Sequence, residues 1–249
     1  MDSMLRSVFA RSLCASTPMQ PSLIPRPAAT PAETPSAAAK ARFWNRLARK
    51  YAADPIADIA GYEATLQRVQ ALLSPGHAVL EIGCGTGTTA LRLAPAIRRM
   101  LATDVSTEMI AIAREKLAAQ PQPLPQLRFG VADAEAAGPG GTYHDVVLAF
   151  NVLHLVSDLD VALQAVMQTL KPGGLFVSKT PCLGEMNPLI PRLVVPLMRA
   201  IGKAPHVLVF NAAQLQASFL RHGLEIEAVE RHGTKGKDIR VFIVARRRR

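Results

Sequence analysis

Between Phe43 and Ala245 the chain alternates two hydrophobic rhythms. Phe43, Trp44, Leu47, Ala48 and Tyr51 recur at the spacing of one helix face. A second helical stretch runs from Ile59 to Leu73 and stops at Ser74-Pro75-Gly76. Short apolar runs then predict strands at Ala78 to Ile82, Arg99 to Thr103, Leu127 to Val131, Tyr143 to Phe150 and Leu175 to Thr180. Helical spacing fills the intervals at Thr88 to Leu93, Thr107 to Ala119 and Asp158 to Leu170. Pro121, Pro123 and Pro125 form a rigid connection, Gly138 to Gly141 a loop, and Lys171-Pro172-Gly173-Gly174 a turn. A helix at Asn211 to His222 precedes two final strands, Leu224 to Arg231 and Ile239 to Ala245, which read as a hairpin. This order predicts an α/β fold: a doubly wound, mostly parallel seven-stranded sheet with an antiparallel last strand.

Composition narrows the class. A chain of 249 residues, 49% hydrophobic, can bury the core of one domain. No run of about 18 or more uninterrupted apolar residues occurs, so a spanning helix is not expected. Cys14, Cys84 and Cys182 are too few and too scattered for a disulfide framework or a four-ligand zinc site, and they fit a reducing compartment.

The net charge of +10 changes meaning once it is located. Residues 1–42 hold five basic and two acidic side chains, residues 231–249 hold eight and one, and residues 43–230 hold sixteen of each. The excess lies at the ends and marks no nucleic-acid groove. Arg246-Arg247-Arg248-Arg249 reads as a basic tail, 246–249, either solvated or touching acidic lipid or RNA. Residues 1–40 carry six prolines between Pro18 and Pro35 and are expected to be disordered. The stretch Met4 to Leu13 is transit-peptide-like, which implies a mitochondrial protein; as an extension without function it leaves a cytoplasmic one.

The chemistry concentrates in Val79-Leu80-Glu81-Ile82-Gly83-Cys84-Gly85-Thr86-Gly87, a strand, a glycine turn and a helix start. Glycine permits the turn's backbone angles and lets a ligand lie against bare backbone, and the helix start suits an anionic group. A dinucleotide fingerprint places glycines first, third and sixth. Here the sixth position is Thr88, Gly87 comes early, and Glu81 stands two residues before Gly83.

On these residues the chain resembles the class I S-adenosylmethionine-dependent methyltransferases over roughly residues 43–245, most nearly their small-molecule branch, which includes quinone-biosynthesis enzymes. The resemblance implies a Rossmann-like methyltransferase domain over residues 41–245, with S-adenosyl-L-methionine as cofactor and no metal. It implies that Glu81 and the Gly83-Cys84-Gly85 backbone hold the methionine amine, with Gly87 completing the turn. It places Asp104 on the ribose hydroxyls, Val105 on the adenine face, Asp133 on the adenine amino group, the Ala134 N–H on the ring, and Asn151 beside the methionine. Each acid has a simpler alternative, Asp104 as a helix-start residue and Asp133 as a turn residue. Cys84 reads as a small filler, since no nearby cation or base would activate it. His154 is either a general base or a packing residue at the corner after the fourth strand. Tyr51 and Trp44 either cover the cofactor or simply pack.

The insertion 183–210 is apolar, interrupted by Pro188, Pro191 and Pro196, and carries Arg192, Arg199 and Lys203. As a lid it would suit a small apolar acceptor, or peripheral contact with a membrane; as a cap it would only pack. The leading expectation is methyl transfer to a small organic molecule by in-line displacement. Nucleic acid is not expected as partner; RNA or protein methylation and a non-catalytic cofactor-binding protein are the alternatives.

Overall fold

The computed structural model describes residues 35–136, 143–200, 204–235 and 238–249. Residues 1–34, the loop 138–141, Ile201 and Lys203 lie outside these, and with them most of the proposed disordered or targeting segment.

Two N-terminal helices, α1 (Ala37–Ala53) and α2 (Ile59–Gln70), precede an alternating series: β1 (Ala78–Ile82), α3 (Thr88–Leu93), β2 (Arg99–Asp104), α4 (Thr107–Ala118), β3 (Leu127–Val131), β4 (His144–Phe150), α5 (Leu159–Thr169) and β5 (Leu170–Pro181). The insertion follows as a π-helical turn, Ile190–Val194, running into α6 (Val195–Ala200). Then come α7 (Ala212–Arg221), β6 (Leu224–Glu230) and β7 (Arg240–Arg247). The helix starts are encoded locally: the Asp58, Ser106, Asp158 and Asn211 side chains each accept a backbone N–H of the following first turn.

The seven strands form one sheet in the order β3-β2-β1-β4-β5-β7-β6. All pairings are parallel except the two made by β7, which lies antiparallel between β5 and β6. Adjacent residues alternate faces, so Val79, Leu148, Val177 and Phe242 enter one core, and Leu80, Val147, Phe176 and Ile243 the other. With both faces covered, the central strands read as unbroken apolar runs rather than alternating ones. The strand order reverses between β1 and β4, which opens a crevice at their carboxyl ends.

Two expectations need correction. The domain begins before residue 41: Ala37–Lys40 are helical, capped by the Ser36 side chain, and the Pro35 carbonyl accepts the Ser157 hydroxyl at 2.9 Å. The alanines that look like low complexity are good helix formers, and α1 packs on α4 through Trp44, Ala48, Met109 and Ile112.

The basic tail is not a tail. Arg246 and Arg247 lie within β7, Arg246 pairs with Glu227, Arg247 donates to the Met167 and Leu170 carbonyls, and Arg248 pairs with Glu225. Glu225 stands opposite Arg246 in the ladder and the ion pairs run diagonally, an opposite-charge arrangement that suits a strand pair.

Within the insertion 183–210, Leu208 and Phe210 pack into the second core. Leu189, Leu193 and Leu197, four residues apart, are all exposed, and the prolines still allow consecutive helical turns. No helix among the described residues is long and apolar enough to cross a membrane.

Candidate active site

The turn after β1 holds Gly83, Gly85 and Gly87 at φ +66°, +54° and +75°. The space around them differs. A methyl group on Gly83 would lie 2.5 Å from Val152 Cγ2, and one on Gly87 2.6 Å from Phe129 Cζ. Gly85 has an open face; the nearest atom to an added methyl is Tyr51 Cε1 at 3.7 Å. Two glycines therefore serve packing, and the third leaves backbone accessible beneath the half-exposed Tyr51 ring. The Tyr51 hydroxyl pKa is raised by desolvation first, then by the charges of Asp104 and Glu81, so α1 lays this ring beside the acids of the turn.

Glu81 is buried at the end of β1, and its Oε2 has no hydrogen-bond partner among the described residues. Burial, and secondarily the Asp104 charge, push its pKa to about 8. A lone carboxyl in this state calls for a cationic or donor ligand, because an unmatched buried polar atom carries a desolvation cost. The adjacent acid is better satisfied: Asp104 accepts the Gly85 N–H at 3.0 Å through Oδ2 and the Ser106 N–H at 2.9 Å through Oδ1. Burial still raises its pKa. Asp104 thus shapes the turn while its oxygens keep lone pairs toward the crevice. Val105 follows it, half-buried.

Cys84 is buried, with a thiol pKa far above the ordinary value, chiefly through that burial. It fills space, as its surroundings in sequence suggest. Asp133 lies two residues beyond β3, and Asp133 and Ala134 line a recess with Leu80, Ile82, Thr103 and Val166. Asp133 is engaged by a residue the sequence reading missed: Lys40 of α1 lies 2.6 Å from its Oδ2 and also contacts Glu135. Glu135 in turn accepts the N–H groups of Ser157 and Asp158, at 2.9 and 2.8 Å.

Asn151 follows β4 with φ +54°, the one non-glycine residue among those described with a positive value. Its N–H donates to the Lys179 carbonyl at 2.7 Å, and its exposed side chain stands where the strand order reverses. Strain of this kind clusters at ligand sites. His154 is partly buried with Nδ1 unpartnered, and its carbonyl accepts the Leu208 N–H at 2.8 Å. Burial, then Arg240, lowers its pKa to about 4, so the ring is neutral at physiological pH and a weaker base than an exposed histidine.

Asn45 of α1 was also missed. Its Oδ1 accepts the Ser106 hydroxyl at 2.6 Å, fixing α1 to the helix start beside Asp104. No sequence pattern announces Asn45; the helical run through Ala37–Lys40 could have announced Lys40.

Residues 80–176 match the family model described as "Methyltransferase domain". The match runs from within β1 into β5 and includes the glycine turn, Asp104, Asp133 and Asn151. Two curated relatives locate the likeness. A highly reducing polyketide synthase, PKS2 of Leptosphaeria maculans, is 32% identical over 146 residues, 53% of this chain and 6% of that one. The ubiquinone/menaquinone biosynthesis C-methyltransferase UbiE of Geobacter sulfurreducens is 33% identical over 105 residues, 41% of this chain and 40% of that one. This chain therefore spans only a small part of the polyketide synthase. Among solved structures, magnesium protoporphyrin IX methyltransferase (ChlM) of Synechocystis PCC 6803, with bound SAH, superposes with a TM-score of 0.62 at 18% identity, covering 83% of this chain and 97% of that one. The [4+2]-cyclase SpnF superposes with a TM-score of 0.66 at 19% identity, covering 86% and 97%. At these identities the structures establish the fold alone.

Proposed function

We propose that this protein transfers a methyl group from S-adenosyl-L-methionine to a small organic acceptor. The observation that carries the reading is Glu81: a buried carboxyl with an unpartnered oxygen, set beside an open glycine backbone at the reversal of strand order. That arrangement fits the amine of an amino-acid ligand. The likeness to UbiE and to ChlM, whose structure holds bound SAH, supports the choice of ligand.

In this reading Glu81 and the turn backbone hold the amino-acid end, Asp104 the ribose, and Asp133 and Ala134 the base. Tyr51 shields the turn. Bound S-adenosylmethionine supplies a methyl already activated by its sulfonium, for in-line displacement by the acceptor. The protein's tasks are alignment and exclusion of water. Asn151 and His154, at the end of β4, face the acceptor. A neutral imidazole with a free Nδ1 accepts a hydrogen bond from an acceptor hydroxyl or amine and orients it, and takes the proton as transfer proceeds.

The test is S-adenosylhomocysteine binding, followed by transfer of labelled methyl to a panel of small acids, phenols and quinols. Binding by the wild type, at least about 100-fold weaker in Glu81→Gln, supports the reading. Equal binding by both proteins contradicts it.

A further inference from the structure

A second cavity lies apart from the glycine turn, between α1 and the segment Ala204–His206, with a volume of about 510 Å³. Phe43, Trp44 and Leu155 give it an apolar wall. Lys40, Arg42, Arg46 and Arg199 also line it, and among the described residues no carboxylate does. Lys40 is committed to Asp133 and Glu135. Arg46 lies over the Phe43 ring, 5.8 Å from its centre, which leaves its N–H edge free. Arg42 and Arg199 are exposed and have no acidic partner among the described residues.

The cavity is tied to the candidate active site. Leu155 follows His154, and the Leu208 N–H bond to the His154 carbonyl fastens the segment carrying His206 to the end of β4. Both ring nitrogens of His206 are buried, without partners among the described residues. Burial holds that imidazole below its ordinary pKa, and Arg199 and Lys40 add to the effect against the opposing charge of Glu135. The wall therefore offers a neutral ring capable of accepting or donating one hydrogen bond, framed by guanidinium groups.

We propose that this cleft takes the acceptor, and that the acceptor is an amphipathic organic anion: an apolar or aromatic body against Phe43, Trp44 and Leu155, with a carboxylate or phosphate head at Arg42, Arg46 and Arg199. A cationic molecule is repelled, and a neutral one leaves the guanidinium groups without a counter-charge. The word acceptor rests on the methyl-transfer reading; the binding chemistry does not.

Trp44 is the chain's only tryptophan, so its fluorescence reports this cleft directly. The full-length protein, without cofactor, is titrated with decanoate, decyl phosphate, methyl decanoate and decylamine, each below its critical micelle concentration. Expected is a saturable change with decanoate or decyl phosphate, at least about tenfold tighter than with methyl decanoate, and none with decylamine. Whichever anion binds tighter identifies the head group. The double variant Arg42→Gln/Arg199→Gln weakens the anion about tenfold or more and leaves the methyl decanoate curve unchanged, with wild-type circular dichroism as the check on folding. Equal binding of decanoate and its ester, binding of decylamine, or no saturable response to any probe overturns the proposal. S-adenosylhomocysteine binding is measured separately. Its failure with anion selectivity intact overturns methyl transfer and leaves the anion site standing.

Discussion

The crevice at the ends of β1 to β3 and the cleft beneath α1 are neighbours of opposite character. The first is acidic, with Glu81, Asp104 and Asp133 within one short stretch of sheet edge, and its geometry is set by backbone: three glycines, and an aspartate accepting two main-chain N–H groups. The second is basic, with no carboxylate among the described residues that line it, and it is assembled from side chains distant in sequence. Lys40 joins the two, lining the cleft while it pairs with Asp133. The difference teaches how each is written. A site made of backbone and strand ends is local, so a heptapeptide announces it. A site made by docking a helix and a returning segment has no contiguous signature.

The largest effect that sharpens the contrast is at Gly87. Gly87→Ala combines a left-handed backbone with a clash against Phe129 and is expected to cost about 2–5 kcal/mol in urea unfolding. Gly85→Ala, with only Tyr51 nearby, is expected to cost about 1–2 kcal/mol and to lose S-adenosylhomocysteine binding out of proportion. Similar stability losses at both positions would break the division between packing and ligand glycines.

Next is Glu81→Gln. Because the folded pKa is raised to about 8 from the ordinary 4.5, the folded state holds a proton that the unfolded state releases within that window. Stability attributable to Glu81 is full below pH 4.5 and declines as pH rises toward 8. The variant should therefore gain on the wild type by up to about 1.4 kcal/mol per pH unit across the window, as measured by chemical denaturation. A pH-independent difference would show that Glu81 is already matched by a partner.

Lys40→Ala should cost about 1–3 kcal/mol, because it leaves Asp133 and Glu135, both largely buried, without their cation. The Trp44 emission should shift as α1 loosens from the β3 end. An unchanged emission would separate the cleft from the acidic crevice.

The sheet was legible nearly element by element because apolar runs bounded by Gly, Pro and capping residues are local signals, and β7 took its antiparallel place beside β5. Glu81, Asp104 and the glycines were legible for the same reason. Lys40 was not, because a polyalanine helix start looks like low complexity until α4 gives it something to pack on. Arg246–Arg248 misled because their acidic partners sit on another strand. His154 was legible as a candidate, but its low pKa depends on burial that no single sequence displays.

The most direct test of the central claim is calorimetry of S-adenosylhomocysteine binding between pH 6 and 8 in buffers of different ionisation enthalpy. An ammonium group settling on Glu81 must displace the proton that the ligand-free protein holds there. Expected are release of about one proton per ligand at pH 7 and affinity rising up to about tenfold per pH unit, both absent in Glu81→Gln. Tight binding without proton release, unchanged in the variant, would contradict the assignment of Glu81 and with it the proposed cofactor site.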